Sequence, residues 1–166
     1  MNQTQDLFSL LFSTSSTLTQ LRRRANLVKS FYGKYIYENP KPHPQDFFTN
    51  PLDWQWFLTY QNPLYQSLSS HSAKKDLVDI DSKIKALTPI TCFTAIQIPE
   101  DGLDRLTFRF RNEFGPGTIL ETRVDPNIIG GCVLIKRGIV QDYSLRKKIN
   151  SIKPQILHQL QEVIVR

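Results

Sequence analysis

Leu18, Leu21, Ala25, Val28, Tyr32, Tyr35 and Ile36 recur mostly three or four positions apart, the spacing at which one face of an α-helix meets a core. Leu7, Leu10 and Leu11 precede them close to Asp6. Gly33 and Asn39-Pro40 are expected to stop this helix, and Pro40, Pro42 and Pro44 impose an extended segment around His43. Asn50 before Pro51 reads as an N-cap with proline at the first helical position. The stretch that follows is rich in apolar residues: Leu52, Trp54, Trp56, Phe57, Leu58 and Tyr60. Its paired tryptophans are better explained as buried anchors than as a binding face. Asn62-Pro63 is expected to interrupt it, and the serine-rich residues 66–73 to form a soft connector or a frayed helix start. Leu77, Ile80, Ile84 and Leu87, spaced 3, 4 and 3, predict a third helix that ends before Thr88-Pro89.

From Ile90 onward the pattern changes. Ile90, Cys92, Thr94, Ile96 and Ile98 alternate with Thr91, Phe93, Ala95 and Gln97, which predicts a strand. Pro99-Glu100-Asp101 opens a helix with acids where its dipole favours them, and Leu103, Leu106, Phe110 and Phe114 form its stripe. Gly115-Pro116-Gly117 ends it. Thr118 to Val124 alternates again, with Leu120, Thr122 and Val124 on one side, and Asp125-Pro126 marks a turn. Gly130-Gly131 leads into the run from Cys132 to Ile135, and Arg137-Gly138 turns the chain into Ile139-Val140. A last helix carries Leu145, Ile149, Ile152, Ile156, Leu160 and Val163 or Ile164, with Pro154 expected to kink or split it. The fold class is α+β: a mostly helical region over 1–87, then a small strand-helix-strand-strand-helix domain over 88–166.

Composition narrows the function. The chain has 166 residues, 40% hydrophobic and 22% charged, which excludes wholesale disorder. It holds no uninterrupted apolar run of about 18 residues, so a transmembrane helix is excluded. The net charge of +6 allows an acidic partner without demanding one. Basic residues outnumber acids six to three over 1–50, balance them four to four over 51–87, and lead eleven to eight over 88–166. Arg22-Arg23-Arg24 forms the densest basic run, read as a solvated helix face in preference to a phosphate-seeking patch. Residues 7–37 have five basic residues, no acid and many Ser/Thr, the composition of an organellar transit peptide. The helical spacing of their apolar residues favours a mature amphipathic helix. Cys92 and Cys132 are too few for a disulfide scaffold and fit buried thiols in a reducing compartment.

No catalytic constellation emerges. His43, His71 and His158 stand apart without a second ligand at metal spacing. Gly115-Pro116-Gly117 lacks the lysine and hydroxyl residue of a phosphate-binding loop. Asp76, Asp79 and Asp81 surround a helical stripe, which makes a solvated face the better explanation than a cation site. Cys132 has no basic neighbour in sequence to activate it. No cofactor and no metal are expected. A nucleic-acid module is the rival reading, drawing on Arg105, Arg109, Arg111 and Lys147-Lys148. The aromatic residues of 100–114 fall on the apolar stripe, however, and no RNA-binding loop motif is present.

One segment has a specific pattern. Arg123-Val124-Asp125-Pro126-Asn127-Ile128-Ile129-Gly130-Gly131 is followed by Asp142, Ser144, Arg146 and Lys148 at set spacing. Asp-Pro directs the chain before a strand, the glycines allow positive φ or close backbone approach, and Asp142 or Ser144 can cap the last helix. Arg146 is unfavourable for the helix dipole and is expected to pair with a nearby acid. Over about residues 88–160 this resembles the carboxy-terminal signature of the ATP synthase delta subunit family, which includes the mitochondrial oligomycin-sensitivity-conferring protein. The resemblance rests on Val124, Asp125, Pro126, Ile129, Gly130, Gly131, Asp142, Ser144 and Arg146 as structural motif residues. Tyr143 stands where the family has glycine, and the family's Arg-x-Tyr-Ala-x-Ala-Leu opening is not found. The prolines from Pro40 to Pro63 and the paired tryptophans do not suggest a regular bundle, so 1–87 is read as a reduced bundle, a divergent one or a substituted adaptor.

The resemblance implies a non-catalytic stator subunit of an F-type ATP synthase, joining the α/β head to the b-type peripheral stalk so that rotation is coupled to synthesis. It implies a helical bundle on the amino-terminal segments of the α subunits, and a carboxy-terminal domain receiving stalk helices in an apolar groove. It further implies a monomer within the complex, held peripherally at the cytoplasmic face of a bacterial membrane or at an inner organellar membrane, without nucleic acid.

Overall fold

A computed structural model of the chain describes residues 6–69 and 73–164. His71 lies outside them, as do the side chains of His158, Leu160, Val163 and Ile164. The chain divides into two compact units, Met1–Leu87 and Thr88–Arg166. An amino-terminal helical bundle is followed by a small mixed strand and helix domain.

The first unit contains α1 (Leu7–Thr14), α2 (Leu18–Tyr37), α3 (Pro51–Leu68) and α4 (Ala73–Ala86). Its core is built from Leu7, Leu10 and Leu11 of α1, Leu21, Ala25, Val28 and Phe31 of α2, Trp56, Phe57, Leu64 and Leu68 of α3, and Ile80 and Ile84 of α4. A capping box starts α2: the Thr17 hydroxyl accepts from the Gln20 amide, and the Gln20 side chain accepts from the Thr17 amide. The Asn50 side chain accepts from the Leu52 amide and caps α3. Phe31, in place of the expected Tyr32, completes the α2 stripe and packs on Tyr35, Phe47, Phe48, Phe57 and Tyr65 at ring separations of 5.4–6.3 Å. Trp56 is buried, and Trp54 stacks on Phe57 at 5.7 Å.

Several expected breaks are bridged. The α2 helix passes through Gly33 and ends at Tyr37, just before Asn39-Pro40. A glycine inside a helix costs about 1 kcal/mol relative to alanine, and burial of Val28 and Phe31 outweighs that. Pro63 likewise lies inside α3, whose buried Leu64, Ser67 and Leu68 hold the last turns against the bundle. Residues 66–68 are therefore helix, not connector. The proline segment contains a 3-10 turn at Pro44–Asp46 that delivers Phe47 and Phe48 to the aromatic cluster. It is thus part of how the bundle closes.

The arginine run is neither a solvated face nor a phosphate patch. Arg22 alone is exposed. Arg23 meets the buried carboxylate of Asp53 through Nε at 2.9 Å and a terminal nitrogen at 3.0 Å. Arg24 is buried, donates to the Thr14 carbonyl at 2.5 Å, and lies 4.8 Å from the Trp56 ring centre. Asp81 pairs with Lys29 at 2.5 Å, and Lys83 with Asp6 at 3.0 Å.

The second unit contains β1 (Ile90–Thr94), α5 (Glu100–Phe114), β2 (Leu120–Val124), β3 (Cys132–Lys136), β4 (Ile139–Asp142) and α6 (Leu145–Ile164). The sheet order is β2-β1-β3-β4, with β1 parallel to β2 and the other pairings antiparallel. A parallel pair requires a crossover, and α5 supplies it. Ile90, Cys92, Leu120, Leu134 and Phe110 form the core, flanked by Leu106, Phe114 and Cys132. The first strand is shorter than its alternation suggests. Thr94 Oγ1 donates to the Ile96 carbonyl at 2.8 Å, the chain bends, and Ile96 points to solvent. On the edge strand β2, Val124 is exposed. The α6 helix continues through Pro154 without splitting.

Burial pushes the Cys92 thiol up to about 12, with nearby Cys132 adding to the shift. A thiol reagent at mildly alkaline pH is expected to modify half-buried Cys132 in the native protein and Cys92 only after unfolding. Counting modified cysteines by peptide mass before and after denaturant checks this. Equal native rates at both positions would contradict it.

Candidate functional site

Four of the motif residues, Gly130, Gly131, Asp142 and Ser144, converge where β3, β4 and α6 meet. Asp125 leaves β2 and remains tied to β1, because its amide donates to the Thr94 carbonyl at 2.8 Å. Its carboxylate accepts from the Asn127 backbone and side-chain nitrogens, both at 3.0 Å, while the Ile128 amide donates to the Asp125 carbonyl. This tight turn through exposed Pro126 buries Ile128 and leaves Ile129 exposed. The chain then reaches Gly130 and Gly131.

Both glycines lie against the start of α6. The Leu145 amide donates to the Gly130 carbonyl at 2.9 Å, and the Tyr143 amide donates to the Cys132 carbonyl at 2.9 Å. Gly131 has φ +79°, and a Cβ there would run into the Tyr143 carbonyl oxygen and stand 3.2 Å from Ser144 Cα. At Gly130 a Cβ would stand 2.8 Å from Leu145 Cδ1. The double glycine therefore lets two backbone segments touch, which fixes where α6 begins.

Asp142 and Ser144 complete the junction. The Ser144 amide donates to Asp142 Oδ1 at 2.8 Å, and Ser144 Oγ accepts from the Lys147 amide at 3.3 Å. Ser144 thus caps α6, and Asp142 supports Ser144. Hydrogen bonds from the Ser144 side chain and then its backbone hold the Asp142 carboxyl below its ordinary value, with Lys147 contributing in the same direction. A depressed folded-state value gives stability that is present above the unfolded value of about 3.9 and lost as pH falls through the folded one. The stability gap between wild type and Asp142→Asn should accordingly narrow on acidification below about pH 4. Thermal melts across a pH series measure it; a gap that widens in acid would refute the assignment.

Of the motif residues, Gly130, Gly131, Asp142 and Ser144 meet at this junction, while Val124, Asp125 and Pro126 sit one turn away at the β2 exit. Arg146 projects outward. Among the described residues no acid lies within ion-pair distance of it, against the expectation of a nearby partner. The chemistry of the junction is capping and backbone contact. Among the described residues no group of three or more His, Cys, Asp and Glu could hold a metal ion. An apolar recess of about 330 Å³ opens elsewhere in this unit between Phe114, Leu134, Lys136 and Ile139, with Lys136 Nζ 4.1 Å from the Phe114 ring centre.

The junction directs the apolar row of α6. Leu145, Ile149, Ile152 and Ile156 remain 40–48% exposed. Their helical spacing is legible in the sequence, but their exposure is not. No described helix is long and apolar enough to cross a membrane.

Comparison with known proteins gives a consistent result. The pattern of the family "ATP synthase delta (OSCP) subunit" matches residues 72–156. The delta subunit of Lactobacillus acidophilus is 32% identical over 92 residues, covering 51% of this chain and 50% of that protein. That of Lactobacillus gasseri is 26% identical over 153 residues, covering 92% of this chain and 74% of that protein. That of Ligilactobacillus salivarius is 29% identical over 124 residues, covering 74% and 65%. The alignment with the Lactobacillus acidophilus protein thus spans half of that relative's length.

Proposed function

The chain belongs to the ATP synthase delta (OSCP) subunit family, and we propose that it acts as a non-catalytic stator connector of an F-type ATP synthase. In this reading it joins the α/β catalytic head to the b-type peripheral stalk, so that the head does not turn with the rotor. The helical unit faces the head, and the carboxy-terminal unit receives the stalk along an apolar helix face. The protein is one copy per complex, peripheral to the membrane through its partners, on the cytoplasmic face of a bacterial cell.

The observation that carries this reading is the family match, which runs from α4 across the whole sheet and into α6. The bundle of α1 to α4 supports the head-facing half, because the first unit has its own closed core. Bacterial placement is supported by the bacterial relatives.

The test is purification from native membranes in gentle detergent through a carboxy-terminal tag, with mass spectrometry of the recovered proteins. Recovery of α, β and b-type subunits in constant proportion to this chain is expected. Stalk subunits without α and β would remove the head contact. Recovery of none of them, with RNA in their place, would overturn the reading in favour of a nucleic-acid module.

A further inference from the structure

The sheet order β2-β1-β3-β4 places the α5 crossover on the β1 and β2 side and leaves β4 at the far edge. Leu134 and Lys136 share one face of β3, and the register sets Gln141 and Ile139 of β4 beside them on that face. Cys92 pairs with Leu134, so this is the face that packs against Phe110 of α5. The helix ends at Phe114 and does not cover β4, where Ile139 is 67% exposed. Between them opens the recess of about 330 Å³, with buried Ile90 and Leu134 as its floor and Phe114 and Ile139 as its walls.

Its cations are neighbours at the β3-β4 turn. Lys136 Nζ lies 4.1 Å from the Phe114 ring centre, which keeps the ammonium at the recess. Arg137 also lines it, from the first position of a two-residue turn at φ +50°, with Gly138 second at φ +81°. Such a turn favours Asn, Asp or Gly at its first position. Backbone preference therefore does not explain an arginine here, whereas a guanidinium directed to the recess does. Among the described residues that line the recess none is acidic. It is thus an apolar slot with positive charge at one end.

Size and charge together select an occupant. The volume stands at the lower end of small-molecule sites, roughly 300–1,000 Å³. A helix, about 10 Å across with its side chains, does not enter it. An apolar tail fills the slot, and a planar carboxylate suits the guanidinium fork, with the ammonium beside it.

We propose that this recess binds a free monocarboxylate with a medium-length apolar tail, held by Arg137 and Lys136 at its head and by Ile90, Leu134 and Phe114 along its tail. The site lies apart from the junction of the double glycine with α6, and it goes beyond the stator reading.

Calorimetric titration of the full chain with submicellar carboxylates tests it. Affinity should rise about fourfold per methylene from hexanoate towards decanoate until the recess is full. Decanol, with the same tail and no charge, should bind on the order of tenfold more weakly. The variant K136Q/R137Q should lose the preference for decanoate over decanol and keep decanol binding. Gln141→Trp, a plug introduced from an exposed position, should remove both. Circular dichroism and the protection of Cys92 from thiol reagent check that each variant is folded. Decanoate should also shift Cys92 exposure to higher urea and leave the tryptophan transition unmoved. Absence of binding, affinity independent of tail length, equal affinity for decanoate and decanol, or binding untouched by Gln141→Trp would overturn the proposal. Displacement by inorganic phosphate would reduce the site to a bare anion patch. A peptide with an apolar last residue and a free carboxylate, binding more than tenfold tighter than decanoate, would assign the recess to the end of a protein chain instead.

Discussion

Replacing Asp53 with alanine should destabilise the helical unit by about 3–5 kcal/mol, the usual effect of removing one partner from a buried charge cluster. Asp53 is 1% exposed and lies beside two guanidinium groups, Arg23 at 2.9 Å and Arg24 at 4.0 Å. The two arginines are not equivalent. Arg23 is reached by solvent, so its loss should cost only about 1 kcal/mol, as for other partly exposed pairs. Arg24 is buried with its charge against the Trp56 ring and the Thr14 carbonyl, and in Asp53→Ala it would keep these contacts but lose its anion. Both tryptophans lie in the first unit, so urea unfolding followed by tryptophan fluorescence reports this effect selectively. A shift worth less than about 1 kcal/mol would mean that Asp53 is not a keystone of the bundle.

Gly131→Ala should cost the carboxy-terminal unit on the order of 3 kcal/mol. Left-handed backbone at a non-glycine residue costs roughly 1–2 kcal/mol, and here the added methyl also meets backbone that cannot rotate away. Gly130→Ala should be milder, because its obstacle is the flexible end of Leu145. Tryptophan fluorescence is silent for this unit, so the readout is the rate at which Cys92 becomes reactive in urea. Gly131→Ala should expose Cys92 at lower urea than wild type, with the tryptophan transition unmoved. Matching Cys92 protection in both proteins would refute the close approach of the double glycine to α6.

Much of this architecture was legible in residue order. The strands from Ile90, Leu120, Cys132 and Ile139, the helix opened by Glu100-Asp101, and the caps at Asn50 and Ser144 all depend on neighbours a few positions away. The misread places were those where distant contacts overruled local preference. Gly33 and Pro63 look like helix ends, yet buried residues before Gly33 and on both sides of Pro63 carry the helix through. Arg22-Arg23-Arg24 looks like one surface feature, but a helix turns about 100° per residue and sends the three side chains to different surroundings. Arg22 is exposed, Arg23 is partly exposed and Arg24 is buried, and the acid that receives Arg23 and Arg24 lies 30 positions downstream of Arg23.

The apolar stripes of α5 and α6 show where that boundary falls. Leu103, Leu106, Phe110 and Phe114 have nearly the same spacing as Leu145, Ile149, Ile152 and Ile156. Residue order settles that each set lies on one side of a helix, because helical period is a local property of the backbone. What each face meets is a long-range matter. The β1-α5-β2 crossover lays the α5 stripe on the sheet, where Leu103 and Phe110 are buried. The Gly131–Tyr143 contact starts α6 at the rim of the sheet and leaves its row in water. Periodicity specifies a surface, and chain topology decides whether that surface is covered from within or remains open to a partner.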